Sequence, residues 1–258
     1  MDLGLNGKVA LVTGASRGIG RSIAGALARE GCSLVICARG EEALEAARAE
    51  LEEAGAEVLA LALDLGAAEA GDRLVAGALE RFGTLDVLVN NVGGNRRGQF
   101  ADLPDEAWEE VLEANFKLHV RVSRAAVPAL RAASGGVILF IASIFGREAG
   151  GPGLSAYNAT KSALISLAKI MALELAADGI RVNSVAPGSI RFPGGSWDRR
   201  CTEDPQGMAD FVRLHVPMGR FGRAEEVADV VAFLASERAS WITGACVTVD
   251  GGQSRSLI

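Results

Sequence analysis

Runs of uninterrupted apolar residues recur along this chain, among them Val9-Ala10-Leu11-Val12, Val87-Leu88-Val89 and Val137-Ile138-Leu139-Phe140-Ile141. A strand with one face in water alternates apolar and polar side chains. A strand apolar at every position needs cover on both faces, as parallel strands have when buried between helices. The pattern predicts strands near Lys8–Thr13, Ser33–Ala38, Glu57–Leu63, Asp86–Asn90, Val137–Ala142, Ile180–Val185 and Ala245–Val249. Ala/Leu/Glu-rich stretches between them predict helices over Gly18–Arg29, Glu41–Ala54, Ala67–Phe82, Asp105–Leu130, Ser155–Ala177 and Ala224–Ala235. Such βαβ alternation implies a doubly wound α/β sheet with ligands beyond the carboxyl ends of its strands. With 258 residues, 49% of them hydrophobic, one domain spanning 1–258 can bury its core without a disulfide or metal staple. No repeat or linker divides it. The one irregular stretch, Gly188–Gly222, is rich in Gly, Pro, Arg and Asp and reads as a substrate lid.

Charge and composition narrow the partners. A net charge of −6 argues against nucleic acid and against an anionic membrane surface, and no apolar run reaches bilayer-spanning length. No signal-peptide pattern is expected, since Lys8 already falls in the first strand. Cys32, Cys37, Cys201 and Cys246 have neither metal-ligand nor redox spacing, so a reduced, cytoplasmic protein is expected. With His119 and His215 its only histidines, neither a histidine-rich metal site nor a histidine-based triad is expected.

The first strand runs into Thr13-Gly14-Ala15-Ser16-Arg17-Gly18-Ile19-Gly20 and then a helix. Glycines here admit left-handed backbone and close approach of a phosphate, while the helix N-terminus offers unpaired N–H groups to a diphosphate. The alternative is a merely tight turn; the position after the first strand of a βαβ unit favours dinucleotide binding. The second strand ends Ala38-Arg39 and lacks the carboxylate that would accept from a free ribose 2′-hydroxyl. Arg39 with Arg17 suits a 2′-phosphate, so NADP(H) is favoured over NAD(H); the plain alternative for Arg39 is a solvated strand-end charge. Asp64, followed by Leu65, would accept from an adenine amino group or cap a helix. Asn90 and Asn91 can stitch neighbouring strand ends, and Gly93 lets the backbone approach the cofactor ribose.

Tyr157 is the only tyrosine, and Lys161 follows it at helical i+4 spacing on the same face. A phenol near pKa 10 is a poor acid–base group at neutrality unless a cation favours its anion, and Lys161 supplies that cation. Ser143, ending the fifth strand, can hydrogen-bond the same reacting oxygen, and Asn115 can hold a water beside Lys161 and relay protons. Taken singly, a strand-end Ser is usually a cap and a helical Asn is often exposed.

Together Thr13-Gly14-x-x-x-Gly18-Ile19-Gly20, Asn90-Asn91-x-Gly93, Asn115, Ser143, Tyr157-x-x-x-Lys161 and Pro187-Gly188 resemble the short-chain dehydrogenase/reductase family, over essentially the whole chain and in the family's order. The resemblance implies a single-domain Rossmann fold with seven parallel strands. It also implies a homo-oligomer, tetramer or dimer, built on two long helices and the C-terminal strand. Tyr157 would be the acid/base, Lys161 would lower its pKa and hold the ribose, Ser143 would orient substrate and Asn115 would complete a proton relay. Gly14, Ser16, Arg17, Gly18, Ile19, Gly20, Arg39, Asp64, Leu65, Asn91 and Gly93 would bind the cofactor, with Pro187, Gly188 and Ile190 cradling the nicotinamide. The expected substrate is a small-molecule ketone or secondary alcohol; the alternative is 3-oxoacyl reduction on an acyl-carrier protein or CoA, and the minor alternative is a non-catalytic cofactor-binding protein of the same fold.

Two departures from the family pattern stand out. Phe192 stands where many members place a Thr against the cofactor. Ser134 and Asp178 stand where the acyl-carrier-protein reductases, which the chain resembles overall, tend to carry basic residues, so an acidic carrier would find little to grip. Arg96, Arg97, Arg191, Arg199 and Arg200 cluster around the expected mouth and point either to a carboxylate- or phosphate-bearing substrate or to a solvated basic surface.

Overall fold

The computed structural model describes residues 2–257. Parallel strands β1 (Val9–Thr13), β2 (Ser33–Ala38), β3 (Val58–Ala62), β4 (Val87–Asn90), β5 (Gly136–Ile141) and β6 (Ile180–Pro187) follow one another along the chain. Two short strands, β7 (Ile190–Arg191) and β8 (Gly222–Arg223), pair with each other, and β9 (Cys246–Val249) completes the main sheet. That sheet has seven strands in the order β3-β2-β1-β4-β5-β6-β9. The order reverses between β1 and β4, which opens a crevice beyond their carboxyl ends.

The apolar runs are explained by what covers them. Ala10, Val12, Leu34 and Ile36 pack against Ile23 and Leu27 of α1 (Gly18–Arg29), Leu44 and Ala47 of α2 (Glu41–Glu53), and Val227 and Val231 of α9 (Ala224–Ala235). Their neighbours Val9, Leu11, Val35 and Cys37 point the other way. There they meet Leu74 of α3 (Ala70–Phe82), Val122 and Ala126 of α5 (Leu118–Ala132), and Leu164 and Ala168 of α6 (Ser155–Leu175). Successive strand side chains alternate sides, so a sheet covered twice needs apolar residues at both parities.

Three expected helical boundaries differ. The helix expected from Ala67 begins at Ala70, because Gly66 N donates to Asp64 Oδ1 at 2.9 Å and Ala67 N to Asp64 O at 3.1 Å, closing a turn first. The helix expected over Asp105–Leu130 is α4 (Asp105–Leu112), one π-helical turn (Glu113–Lys117) and then α5. Gly188–Gly222 is less irregular than its composition implies, for it holds α7 (Ser196–Glu203) and α8 (Pro205–His215). Trp197 of α7 stacks on Phe211 of α8 with ring centres 4.8 Å apart, and the β7–β8 pairing ties the two ends of the segment together.

Arg181 on β6 closes the far end of α9. Its guanidinium donates to the carbonyls of Leu234 at 2.8 Å, Ala235 at 3.3 Å and Ser236 at 3.0 Å, satisfying acceptors that a helix C-terminus leaves open. Replacing it strands partly buried acceptors, each worth about 1 kcal/mol or more, so Arg181→Ala is expected to destabilise the fold by about 2–4 kcal/mol. Urea unfolding measures this, and a loss below about 0.5 kcal/mol would show that water replaces the guanidinium at no penalty.

Candidate active site

The turn after β1 is shaped by backbone that only glycine tolerates. Gly14 and Gly18 have φ of +67° and +56°. A Cβ on Gly20 would lie 2.3 Å from the Gly14 carbonyl oxygen, so the start of α1 can approach the loop only with hydrogen there. Asn91, beyond β4, donates its side-chain amide to Thr13 O at 3.0 Å and Gly14 O at 3.2 Å, and its backbone N–H to Thr13 Oγ1 at 2.9 Å. The carboxyl ends of β1 and β4 are thereby joined across the switch point.

A cavity of about 1090 Å³ opens over this junction. One end is lined by Ala38, Arg39, Asp64 and Leu65; the middle by Gly14, Ser16, Arg17, Ile19, Gly20, Asn91 and Gly93; the far end by Ser143, Tyr157, Lys161, Pro187, Gly188 and Ile190. Two of the expected site residues stand behind its wall. Gly18 is covered by the Phe192 ring, which a Cβ at that position would meet at 2.6 Å. Asn115 lies under Gly93 and Gly94, with Gly94 N donating to its Oδ1 at 2.9 Å and its Nδ2 donating to Gly94 O at 2.8 Å. What remains on this side chain for a proton relay is the second lone pair of Oδ1. The π-helical turn carries Asn115 at its centre, at the place where the helix meets the Asn91–Gly94 turn.

The Ser143 and Tyr157 side chains line the same part of the cavity wall. Burial pushes the phenol above its ordinary value, and the neighbouring Ser143 hydroxyl pulls the other way. The Lys161 ammonium, buried and 5.9 Å from the Tyr157 ring centre, donates to Ile141 O at 2.9 Å, and burial pushes its pKa down to about 8. Thr160, between them in sequence, accepts from Asn115 Nδ2 at 3.3 Å; sequence reasoning missed it, although its place within Tyr157-x-x-x-Lys161 was a signal.

The residues fit a dinucleotide. The N-cap position of α1 is Arg17 in extended conformation, with no side-chain cap, so the first-turn N–H groups remain for an anion. Asp64 exposes its carboxylate at the Ala38–Arg39 end of the cavity and is not the cap of α3, whose N-cap is Glu69. The arginines separate by partner. Arg96 is committed to Glu110 through two bonds of 2.7 and 2.8 Å, and Arg191 to Asp198 at 2.9 Å. Arg97, Arg199 and Arg200 line the cavity; Arg199 donates to Gly194 O at 2.9 Å and Arg200 lies 4.7 Å from the Trp197 ring centre. Glu110 and Glu113 also line it, and the Glu110 carboxyl is held below its ordinary value by Arg96 first, with Arg39 adding to the effect.

A glycine-rich strand–helix turn at a switch point, opening on a hydroxyl pair and a buried lysine, defines a nucleotide-dependent oxidoreductase of Rossmann type. The family profile described as Enoyl-(Acyl carrier protein) reductase matches residues 14–254. A rabbit (Oryctolagus cuniculus) protein, Dehydrogenase/reductase SDR family member 4, is 40% identical over 98% of this chain and 96% of its own length. L-sorbose reductase from Gluconobacter frateurii, solved with NADPH and L-sorbose, superposes with a TM-score of 0.95 at 37% identity, covering 100% of both chains. A 7α-hydroxysteroid dehydrogenase, solved with NADH and 7-oxo glycochenodeoxycholic acid, superposes at 0.91 with 31% identity over 100% of this chain and 98% of its own. The chain belongs to the short-chain dehydrogenase/reductase family and is an oxidoreductase. Among the described residues no helix is long and apolar enough to cross a membrane.

Proposed function

We propose that the protein transfers hydride between NADP(H) and a small ketone or secondary alcohol, with Tyr157 as the acid/base. The observation that carries this reading is the Ser143–Tyr157 hydroxyl pair beside buried Lys161, on the wall of the same cavity as the uncapped N-terminus of α1. Arg39, Asp64 and the free N–H groups at the start of α1 would hold the dinucleotide along that cavity, where its nicotinamide would supply or accept the hydride. In the reducing direction the Ser143 hydroxyl donates a hydrogen bond to the substrate oxygen, and Tyr157 gives it the proton. Lys161 holds positive charge beside the phenolate that results and would meet the ribose hydroxyls. Asn115, pinned to Gly94, keeps the floor of the ribose site in place. A positioned general acid contributes about 10²–10⁴-fold, so Tyr157→Phe is expected to lower kcat at least a hundredfold while leaving the cofactor dissociation constant within about threefold. If the Tyr157→Phe enzyme retains a tenth of native turnover, Tyr157 is removed from the mechanism.

The preference for NADP(H) is supported by Arg39 at the cavity end where β2 closes on Ala38, without a carboxylate for a free 2′-hydroxyl, and by Arg17 on the neighbouring stretch of the same wall. Charge-assisted hydrogen bonds contribute about 1.5–3 kcal/mol, so kcat/KM should favour NADPH over NADH by about tenfold to a hundredfold, and Ala38→Asp should reverse the order. Equal kcat/KM with both cofactors in the native protein sinks the assignment.

For the substrate, Arg97 and Arg200 at the mouth support a carboxylate- or phosphate-bearing carbonyl compound, recognised under the lid of residues 188–222. The case is narrower than the sequence implied, because Arg96 and Arg191 are spent on Glu110 and Asp198. Against a matched pair of ketones, one neutral and one bearing a carboxylate, the native enzyme should prefer the anion. Arg97→Ala or Arg200→Ala should then raise KM for the anion alone, by about tenfold. Preference for the neutral ketone, or for a 3-oxoacyl thioester over both, reassigns the substrate class.

A dimer or tetramer fits the surface. Ile170 and Leu173 of α6, Phe233 of α9 and Trp241 are exposed, and β9 forms an open sheet edge. Cys32, Cys37, Cys201 and Cys246 are free thiols, consistent with a cytoplasmic setting.

A further inference from the structure

Three side chains along one helical face grip the chain leaving β4, in reverse order. Asn115 holds Gly94 through both its N–H and its carbonyl. His119, four residues on, places Nε2 2.9 Å from the Val92 carbonyl oxygen. Ser123, four further, lies with Oγ 2.9 Å from the Asn90 side-chain amide. Helix residues four apart advance about 6 Å and extended residues two apart about 6.6 Å, so the two ladders stay in step over all three rungs. Asn115, His119, Ser123 and Asn90 are all buried.

The middle rung constrains itself chemically. Phe140 meets the His119 ring edge-on, with centres 6.3 Å apart. Burial holds the imidazole pKa down to about 3, and the nearby Lys161 charge acts in the same direction. A neutral ring has one N–H, and a carbonyl can only accept, so Nε2 carries the proton and donates to Val92. Nδ1 is then an acceptor that needs a donor, and it sits 3.4 Å from the Asn90 side-chain oxygen position. Turning the Asn90 amide by half a rotation satisfies every member: Ser123 Oγ–H donates to Asn90 Oδ1, Asn90 Nδ2–H to His119 Nδ1, and His119 Nε2–H to Val92 O.

We propose that His119 is a positioning residue for the nicotinamide end of the cofactor site: its Nε2–H tautomer, oriented by Asn90 and Ser123, fixes the Val92 carbonyl and with it the Gly93-Gly94 turn. The proposal rests on the cofactor reading given above. The path to the reacting groups is short. A Cβ on Gly93 would lie 3.0 Å from Asn115 Oδ1 and 3.4 Å from Lys161 Nζ, so the backbone of this turn directly faces both side chains, and its position sets their surroundings.

The test compares His119→Leu with His119→Gln in the full chain, well below the melting temperature. The readouts are the NADPH dissociation constant from nicotinamide fluorescence, kcat, and KM for the carbonyl substrate. His119→Leu is expected to weaken NADPH binding and lower kcat by about tenfold each while substrate KM moves less than about twofold, the split expected when one positioning hydrogen bond is lost. His119→Gln, whose amide can donate from the Nε2 position, is expected to restore both to within about threefold of native. A folded His119→Leu protein with native NADPH affinity and kcat overturns the proposal, as does a His119→Gln protein impaired as severely as the His119→Leu one. Should the His119→Leu chain fail to fold, ¹⁵N spectra of the native ring decide: an Nε2–H tautomer unchanged from pH 5 to 9 supports the proposal, and an Nδ1–H tautomer or a ring that titrates in that range overturns it. A native protein that binds no nicotinamide nucleotide removes the cofactor reading itself, whereas one that binds it and is indifferent to His119 removes only this role.

Discussion

The clamp of Asn91 on Thr13 and Gly14 is the contact through which the fold becomes a site. Beyond the switch point the chains leaving β1 and β4 have no sheet partner on the side where they part, and their backbone polar groups would otherwise face a cavity. The Asn91 amide spans that gap and supplies the missing donors. It places the glycine loop and the Asn91–Gly94 turn at a fixed spacing. The rest of the cavity is then referenced to these two loops: α1 follows the first rigidly, and Lys161 and Asn115 close on the second.

Lys161 is the least comfortable group in this arrangement. A buried ammonium whose protein partner is the single carbonyl of Ile141 is not compensated as a buried ion pair would be. Its pKa falls from 10.5 to about 8, so below about pH 8 the folded state bears the whole penalty of the buried charge. The penalty shrinks as pH rises from about 8 and is gone once the unfolded-state lysine also deprotonates near 10.5, which leaves it in force at neutral pH. The packing of α6 against β5 and β6 sustains it. Polar hydroxyls arriving in the cavity would relieve it, and this is why the strained cation belongs with the cofactor site and not with the scaffold.

How much of this was legible in the sequence depended on the range of the interaction concerned. The strands were legible because double cover leaves a local mark, an apolar residue at every position, and α1 and α9 were legible end to end from their periodicity. The break between α4 and α5 was not. Nothing in Glu113–Lys117 opposes a continuous helix, and the extra residue of the π turn finds its purpose only where Asn115 meets Gly94, a contact across 21 positions of the chain. The same limit governed the arginines. Arg96 and Arg97 are adjacent and alike in sequence, but Glu110 on α4 takes one of them and leaves the other on the cavity wall. His119 looked like an isolated histidine. Its spacing of four from both Asn115 and Ser123 was the available signal, and a strand-end turn advancing in twos was needed to give that spacing meaning.

The distribution of charge along the cavity follows from these pairings. With Arg96 and Arg191 neutralised by neighbouring carboxylates, the arginines that remain on the wall are Arg39 at the end where β2 closes, Arg17 on the glycine loop, and Arg97 with Arg199 and Arg200 at the mouth. Glu110 lines the same cleft, bonded to Arg96 and within reach of the Arg39 charge. A chain of net charge −6 therefore carries its unpaired cavity arginines at separate places along one cleft. In a low-dielectric cleft such charges act locally, and none compensates for the absence of another. Under the proposed function, cofactor and substrate would meet different arginines, so substitutions at one end should leave discrimination at the other intact.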